Sequence, residues 1–223
     1  MYLQLTTRCT MHCAHCCFSC TVEGEDMTRA TWQEAIDLAV DRGDHISLGG
    51  GEPTLHPDFW EILGQCMGQS DEALWLATNG SQTRTAIALA ALARRGILGV
   101  ALSLDDFHDP IDPEVVEAFS DGLHRVRASD DRRPPDLREI RGSGQRLVPQ
   151  GRARQLVGDK RYKFRPRSEC ACDGLHVDPG GRIWSCGCMV EQLGTVFDPE
   201  IPYDYDSEQC GRRRRRRRAK TCG

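Results

Sequence analysis

Residues 9–16 read Cys9-Thr10-Met11-His12-Cys13-Ala14-His15-Cys16, three thiols separated by three residues and then by two. Three soft donors at that spacing can wrap one face of a metal or cluster, and no fourth ligand continues the pattern. A cubane iron–sulfur cluster held by three cysteines keeps one iron open, and an open iron is where a small molecule binds. The competing reading is a zinc knuckle, with His12, His15, Cys17 or Cys20 completing four ligands.

Outward from this stretch, strand and helix patterns alternate. Tyr2 to Leu5 alternates as a strand and feeds the cysteine loop. Thr31-Trp32-Gln33-Glu34 matches a capping box, with Trp32, Ile36, Ala39 and Val40 on one helical face and Gly43 as the stop. His45 to Leu48 is a second strand, ending in Gly49-Gly50-Gly51-Glu52-Pro53. Pro57 opens a helix carrying Phe59, Ile62, Leu63 and Cys66. Leu74 to Ala77 is a third strand ending in Thr78-Asn79-Gly80, and Ala86 to Ala93 is helical. Leu98 to Leu102 is a fourth strand, ending in Ser103-Leu104-Asp105-Asp106-Phe107-His108, before a helix opened by Asp112 and Pro113.

Repeated strand–helix units imply a parallel sheet with right-handed crossovers, either a barrel or an open doubly wound sheet. Ligands bind at the carboxyl ends of the strands in both. All four strands end in polar or glycine-rich stretches, so those stretches are expected to converge on one rim. The pattern fails from about Asp121 to Arg146, so a barrel here is shortened and open. Leu147 to Pro149 is a candidate late strand.

A second cysteine group, Cys170, Cys172, Cys186 and Cys188, flanks Leu175 to Val177 and Arg182 to Trp184, which enclose the turn Asp178-Pro179-Gly180-Gly181. That is a hairpin signature, and a hairpin would set the two cysteine pairs side by side as a metal site, with zinc or iron–sulfur both open. Cys66, on an apolar stripe, is core.

Net charge is −4, yet Arg212 to Arg218 are seven consecutive arginines, so the body is more acidic than the average and the tail strongly basic. Such a block is usually solvated, and it could also grip nucleic acid phosphates or an acidic peptide. No apolar run approaches the about 20 residues of a membrane helix, so no membrane partner is expected. Twelve cysteines without an export signal point to metal chemistry in a reducing compartment, the cytoplasm by default.

CTMHCAHC after a first strand, GGGEP after a second, ATNG after a third and SLDD after a fourth together resemble the radical S-adenosylmethionine (radical SAM) superfamily. The run CACDGLHVDPGGRIWSCGC is similar to its SPASM or twitch auxiliary-cluster extensions. The resemblance implies an α/β fold, a shortened, open (β/α) partial TIM barrel over residues 1–165. It further implies a small cysteine-rich β-hairpin extension over 166–200; beyond it, the arginine block makes residues 201–223 an expected flexible tail.

It also implies that Cys9, Cys13 and Cys16 hold a [4Fe–4S] cluster whose open iron is chelated by SAM. Gly50, Gly51 and Glu52 would receive the SAM ammonium, since a cationic amine needs acceptors and glycines let the backbone approach. Ser103 and Asp105 would contact the ribose or carboxylate, Thr78 and Asn79 would support the pocket, and His15 stands where an aromatic often precedes the third cysteine and could stack on adenine. Cys170, Cys172, Cys186 and Cys188 would bind an auxiliary iron–sulfur cluster, zinc remaining the alternative. The implied chemistry is reductive cleavage of SAM to a 5′-deoxyadenosyl radical that takes hydrogen from a substrate, with electrons from a donor such as flavodoxin or ferredoxin. A peptide or protein substrate is the lead expectation. A nucleic acid base or nucleoside is the second, and a non-catalytic iron–sulfur or zinc binding protein the third.

Overall fold

The structure is a computed structural model that describes residues 1–69, 74–120, 136–138, 146–164, 174–202 and 205. Strands β1 (Tyr2–Thr6), β2 (Ser47–Gly50), β3 (Trp75–Thr78), β4 (Gly99–Ser103) and β5 (Asp136–Arg138) alternate with helices α1 (Arg29–Asp41), α2 (Phe59–Gln69), α3 (Thr83–Arg94) and α4 (Pro113–Ser120). Two short strands, β6 (Arg146–Leu147) and β7 (Lys163–Phe164), pair with each other around a 3₁₀ turn at Gly151–Leu156. Strands β8 (His176–Val177), β9 (Arg182–Trp184), β10 (Gln192–Thr195) and β11 (Asp198–Pro199) form an antiparallel meander.

All but β6 and β7 belong to one nine-stranded sheet, ordered β11-β10-β9-β8-β1-β2-β3-β4-β5. The first five strands are mutually parallel, and β8 lies parallel to β1 on its other flank. The hairpin expected from Asp178 to Gly181 is the β8–β9 pair, and through β8 it is continuous with the main sheet.

Register explains how one sheet carries both a core and a site. Paired residues on adjacent strands share a face, so one row crosses six strands as Ile183, Val177, Leu3, Leu48, Leu76 and Val100. All six are fully buried. They pack in the same core cluster as Trp32 and Ile36 of α1, Ile62 of α2, Leu89 of α3 and Phe119 of α4. The neighbouring row points the other way because strand side chains alternate. It reads Trp184, His176, Tyr2, Ser47, Trp75 and Gly99, continued by Gln4 beside Gly49 and Ala77 beside Ala101. Polar, aromatic and small residues therefore line the face away from the helices, a composition unlike that of the aliphatic core row.

Two helix starts differ from the sequence pattern. Thr28, not Thr31, caps α1: its backbone is extended and its Oγ1 accepts from Thr31 N–H at 3.2 Å. The T-x-x-E match at Thr31 is displaced by three residues, about one helical turn, and so mimics the cap. Helix α2 begins at Phe59, two residues past Pro57, with its N–H bonded to the His56 carbonyl. Gly43 does end α1, in a left-handed conformation with its N–H on the Val40 carbonyl, and Asp112 caps α4 through Glu114 N–H at 3.0 Å.

Candidate active site

The cysteine loop leaves β1 and returns to it, and both legs are zipped together. Cys9 N–H bonds Thr21 O at 2.7 Å, Thr7 N–H bonds Glu25 O at 2.8 Å, and Arg8 pairs with Asp26 at 2.8 Å. Within this excursion Cys9 and Cys13 are buried and Cys16 is half-buried. Donors aim at the sulfurs: Met11 N–H and Asn79 Nδ2 reach Cys9 Sγ at 3.4 and 3.5 Å, and Cys20 N–H reaches Cys16 Sγ at 3.4 Å. The Cys20 thiol donates to Cys16 and, over the opposing effect of burial and with help from nearby backbone N–H groups and Arg152, draws Cys16 down to about 5. Burial pushes Cys9 up, and Cys17 up to about 12.

The ends of β2 and β3 meet this loop through Glu52. Its carboxylate is fully buried; Oε1 accepts from Thr54 N–H, Thr54 Oγ1 and Thr78 Oγ1 at 3.2, 2.6 and 2.8 Å, and Oε2 accepts from Asn79 N–H at 2.7 Å. Burial raises its pKa against these donors. An ionised carboxylate offers about four lone-pair sites, so protein donors nearly fill this one. Gly50 and Gly51 are needed locally: Gly51 N–H bonds Thr6 O at 2.7 Å, and a Cβ on Gly51 would collide with the Arg8 carbonyl. Tight strand-to-loop packing, as well as any ligand, therefore selects glycine here.

The fourth strand end supplies Asp105, whose side chain is 1% exposed. Its Oδ1 accepts from Phe107 N–H and His108 Nδ1, each at 2.8 Å, while Oδ2 has no hydrogen-bond partner and lies 3.9 Å from His15 Nε2. Burial would raise Asp105, but the hydrogen bonds from His108 and Phe107 and the nearby histidines hold it below the usual carboxylate range. Burial opposes the charge on His108, yet its bond to Asp105 and the nearby Cys13 lift it to about 10. Burial lowers the His15 pKa against the pull of Asp105, and the His15 ring centroid lies 4.5 Å from that of Phe107. Ser103 ends β4, half-buried on the sheet face away from the helices.

The structure thus brings Cys9, Cys13, Cys16, Glu52, Thr78, Asn79, Asp105 and His15 to one rim. Of the second cysteine group, Cys170 and Cys172 lie outside the described residues, as does the arginine run. Cys186, fully buried, and Cys188 directly follow β9, and Cys188 lies near enough to Cys17 for its charge to oppose Cys17 ionisation. Phe18, which the sequence pattern did not single out, places its ring 5.3 Å from that of His176 and 6.2 Å from that of Tyr2, laying the cysteine loop over the sheet face away from the helices.

The donor set could hold either a zinc ion or an iron–sulfur cluster. A tetrahedral zinc with bonds of about 2.3 Å holds its sulfurs about 3.8 Å apart. Among the described residues the trio whose donor atoms lie within 4.8 Å of one another is His15, Asp105 and His108, not the three thiols. At least two of the Cys9, Cys13 and Cys16 sulfurs therefore lie more than 4.8 Å apart, and thiol donors with N–H groups on the sulfurs suit an iron–sulfur cluster.

The first strand of the sheet thus carries a three-cysteine loop and the second a glycine–glutamate knot. Residues 3–130 match the radical SAM superfamily, and the chain belongs to it. It is 33% identical over 104 residues to the mycofactocin maturase MftC of Mycobacterium ulcerans (strain Agy99), covering 46% of this chain and 28% of the relative. It is 34% identical over 105 residues to the PqqA peptide cyclase of Methylobacterium sp. (strain 4-46), covering 45% and 27%. A match of 36% over 81 residues, covering 35% and 29%, is to an S-adenosylmethionine-dependent nucleotide dehydratase of Selenomonas ruminantium. The chain spans under a third of the length of these relatives. Its fold is similar to that of BtrN in complex with AdoMet and 2-DOIA, at TM-score 0.58 and 15% identity, covering 88% of this chain and 77% of that one. It is also similar to anSMEcpe with bound AdoMet and a peptide, at TM-score 0.54 and 16% identity, covering 90% and 78%.

Proposed function

We propose that this chain is a radical SAM enzyme acting on a peptide or protein side chain, built on an open partial barrel with an auxiliary cluster region near residues 166–200. The observation that carries the proposal is the connected rim: three thiols on one loop, the first of them, Cys9, joined through Asn79 to the Glu52 knot at the ends of the neighbouring strands. Cys9, Cys13 and Cys16 would hold a [4Fe–4S] cluster, and that cluster with SAM supplies one-electron cleavage of a sulfonium carbon–sulfur bond to a 5′-deoxyadenosyl radical. Glu52, nearly saturated by protein donors, holds the strand ends in place, leaving the Gly50–Gly51 backbone to meet an ammonium. Asp105 Oδ2, a buried acceptor without a partner, suits a hydroxyl or amine of the same ligand. His15 and Phe107 offer ring faces for a base, and Ser103 and Thr78 add hydroxyls. Burial of the loop beneath Phe18 and Phe107 excludes water from the reacting groups.

The peptide assignment draws on MftC and the PqqA cyclase. Cys186 and Cys188, with Cys170 and Cys172, are assigned to an auxiliary iron–sulfur cluster, with zinc as the alternative, and an electron donor such as flavodoxin or ferredoxin is required. Anaerobic reconstitution followed by dithionite and SAM is expected to release 5′-deoxyadenosine, and Cys13→Ala to release none. A fully iron-loaded protein that releases none is a binding protein. Iron and zinc counts on a variant lacking Cys9, Cys13 and Cys16 identify what the second group holds.

A nucleotide or nucleic acid substrate is the second reading, favoured by the nucleotide dehydratase similarity and by Arg212–Arg218. It requires salt-sensitive nucleic acid binding that deletion of Arg212–Arg218 abolishes.

A further inference from the structure

The outer legs of the cysteine loop are fastened by Thr21, Glu25 and Asp26, but its sulfur-bearing half is fastened by a residue more than 130 positions away. Arg152 N–H donates to Cys16 O at 3.0 Å, Arg152 Nε to Cys13 O at 3.1 Å, and Arg152 Nη1 to Cys20 O at 2.7 Å. One residue therefore meets three carbonyls of the loop, two of them from ligand cysteines. Gly151 makes the approach possible: its φ is +55°, and a Cβ there would sit 2.6 Å from Cys16 O and 2.5 Å from Cys17 O. Ala153, fully buried, seats the 3₁₀ turn that presents both.

We infer that Arg152, delivered by Gly151, is a positioning residue for the cluster: it clamps Cys13–Cys20 into ligating geometry and sets a permanent positive charge beside the thiolates. The inference rests on the proposed function for the identity of the cluster, but not for the clamp. A loop that must present three thiols loses less conformational freedom on metal binding if its carbonyls are already tied. Arginine suits the role because its planar fork reaches two separate carbonyls while its backbone takes a third, and because it stays charged at every working pH. A lysine ammonium keeps the charge but not the fork. A fixed cation also favours the state carrying one more electron, so it raises the reduction potential of an adjacent cluster.

The test uses the full chain, with and without reconstituted iron, in wild type, R152Q, R152K and G151A. Amide hydrogen exchange read by mass spectrometry is expected to accelerate in peptides covering residues 13–20 in all three variants, with α1 and α2 unchanged. Iron affinity against a competing chelator is expected to fall about 10-fold in R152Q, the lower end for loss of a residue supporting metal ligands. The midpoint potential is expected to become more negative in R152Q and to stay near wild type in R152K. Wild-type exchange in residues 13–20 together with an unchanged potential in R152Q overturns the inference. If R152Q unfolds throughout, R152K decides: faster exchange confined to residues 13–20 supports the clamp, and wild-type rates overturn it. Iron loading without SAM cleavage counts against the proposed function alone, and the exchange result stands apart from it.

Discussion

Asn79 joins Glu52 to Cys9: its backbone N–H donates to Glu52 Oε2 at 2.7 Å, and its side-chain amide donates to Cys9 Sγ at 3.5 Å. The ends of β1, β2 and β3 are thereby coupled through one side chain, and the position of a cluster ligand depends on a buried carboxylate.

Glu52→Gln places an amide NH₂ among groups that donate to the carboxylate. Bonds to a charged acceptor contribute about 1.5–3 kcal/mol each, so the variant is expected to lose roughly 2 kcal/mol of stability. Urea denaturation of the metal-free chain checks this, with a midpoint equal to wild type counting against the knot.

Cys20 controls Cys16. Since the Cys20 thiol is the foremost cause of the low Cys16 pKa of about 5, Cys20→Ala is expected to raise it and slow alkylation of Cys16 near pH 6. Cys20→Ser retains a donor and is expected to keep most of the reactivity. Site-resolved mass spectrometry of iodoacetamide-treated, metal-free protein reads both.

His176 makes the fold acid-sensitive. It is fully buried, bonds Gln4 Oε1 at 3.0 Å, and burial draws its pKa down from 6.5 to about 4. A base with a depressed folded pKa contributes stability that is present above its unfolded pKa. As pH falls from 6.5 the unfolded chain takes the proton first, and the loss levels off below about 4. The total is roughly 3 kcal/mol at 1.36 kcal/mol per pKa unit. His176→Gln is expected to flatten this part of the stability profile, measured by denaturation of the metal-free chain between pH 4 and 7. A profile as steep as wild type assigns the acid sensitivity to other groups.

Much of the site was legible because its determinants are local. The spacing of Cys9, Cys13 and Cys16, the glycines before Glu52 and the polar strand ends are short patterns, and alternation along Tyr2–Leu5 already separates a core face from a site face. Long-range relationships leave no such trace. Nothing near Arg152 announces that it reaches back to Cys13 and Cys20, and Asn79 meets Cys9 only once the end of β3 lies within reach of the cysteine loop. The place of β8 beside β1 follows from sheet order, which two short strands do not encode by themselves. Thr28 and Thr31 both satisfy capping chemistry, and only the backbone path into α1 selects between them.

The central claim is that the open corner of a three-cysteine cluster receives SAM. Low-temperature EPR of the anaerobically reconstituted, dithionite-reduced protein, recorded with and without SAM, tests it most directly. A [4Fe–4S]⁺ signal whose g-values shift on SAM addition, and which Cys13→Ala lacks, is the expected result. A spectrum unmoved by SAM in iron-replete protein would contradict the account.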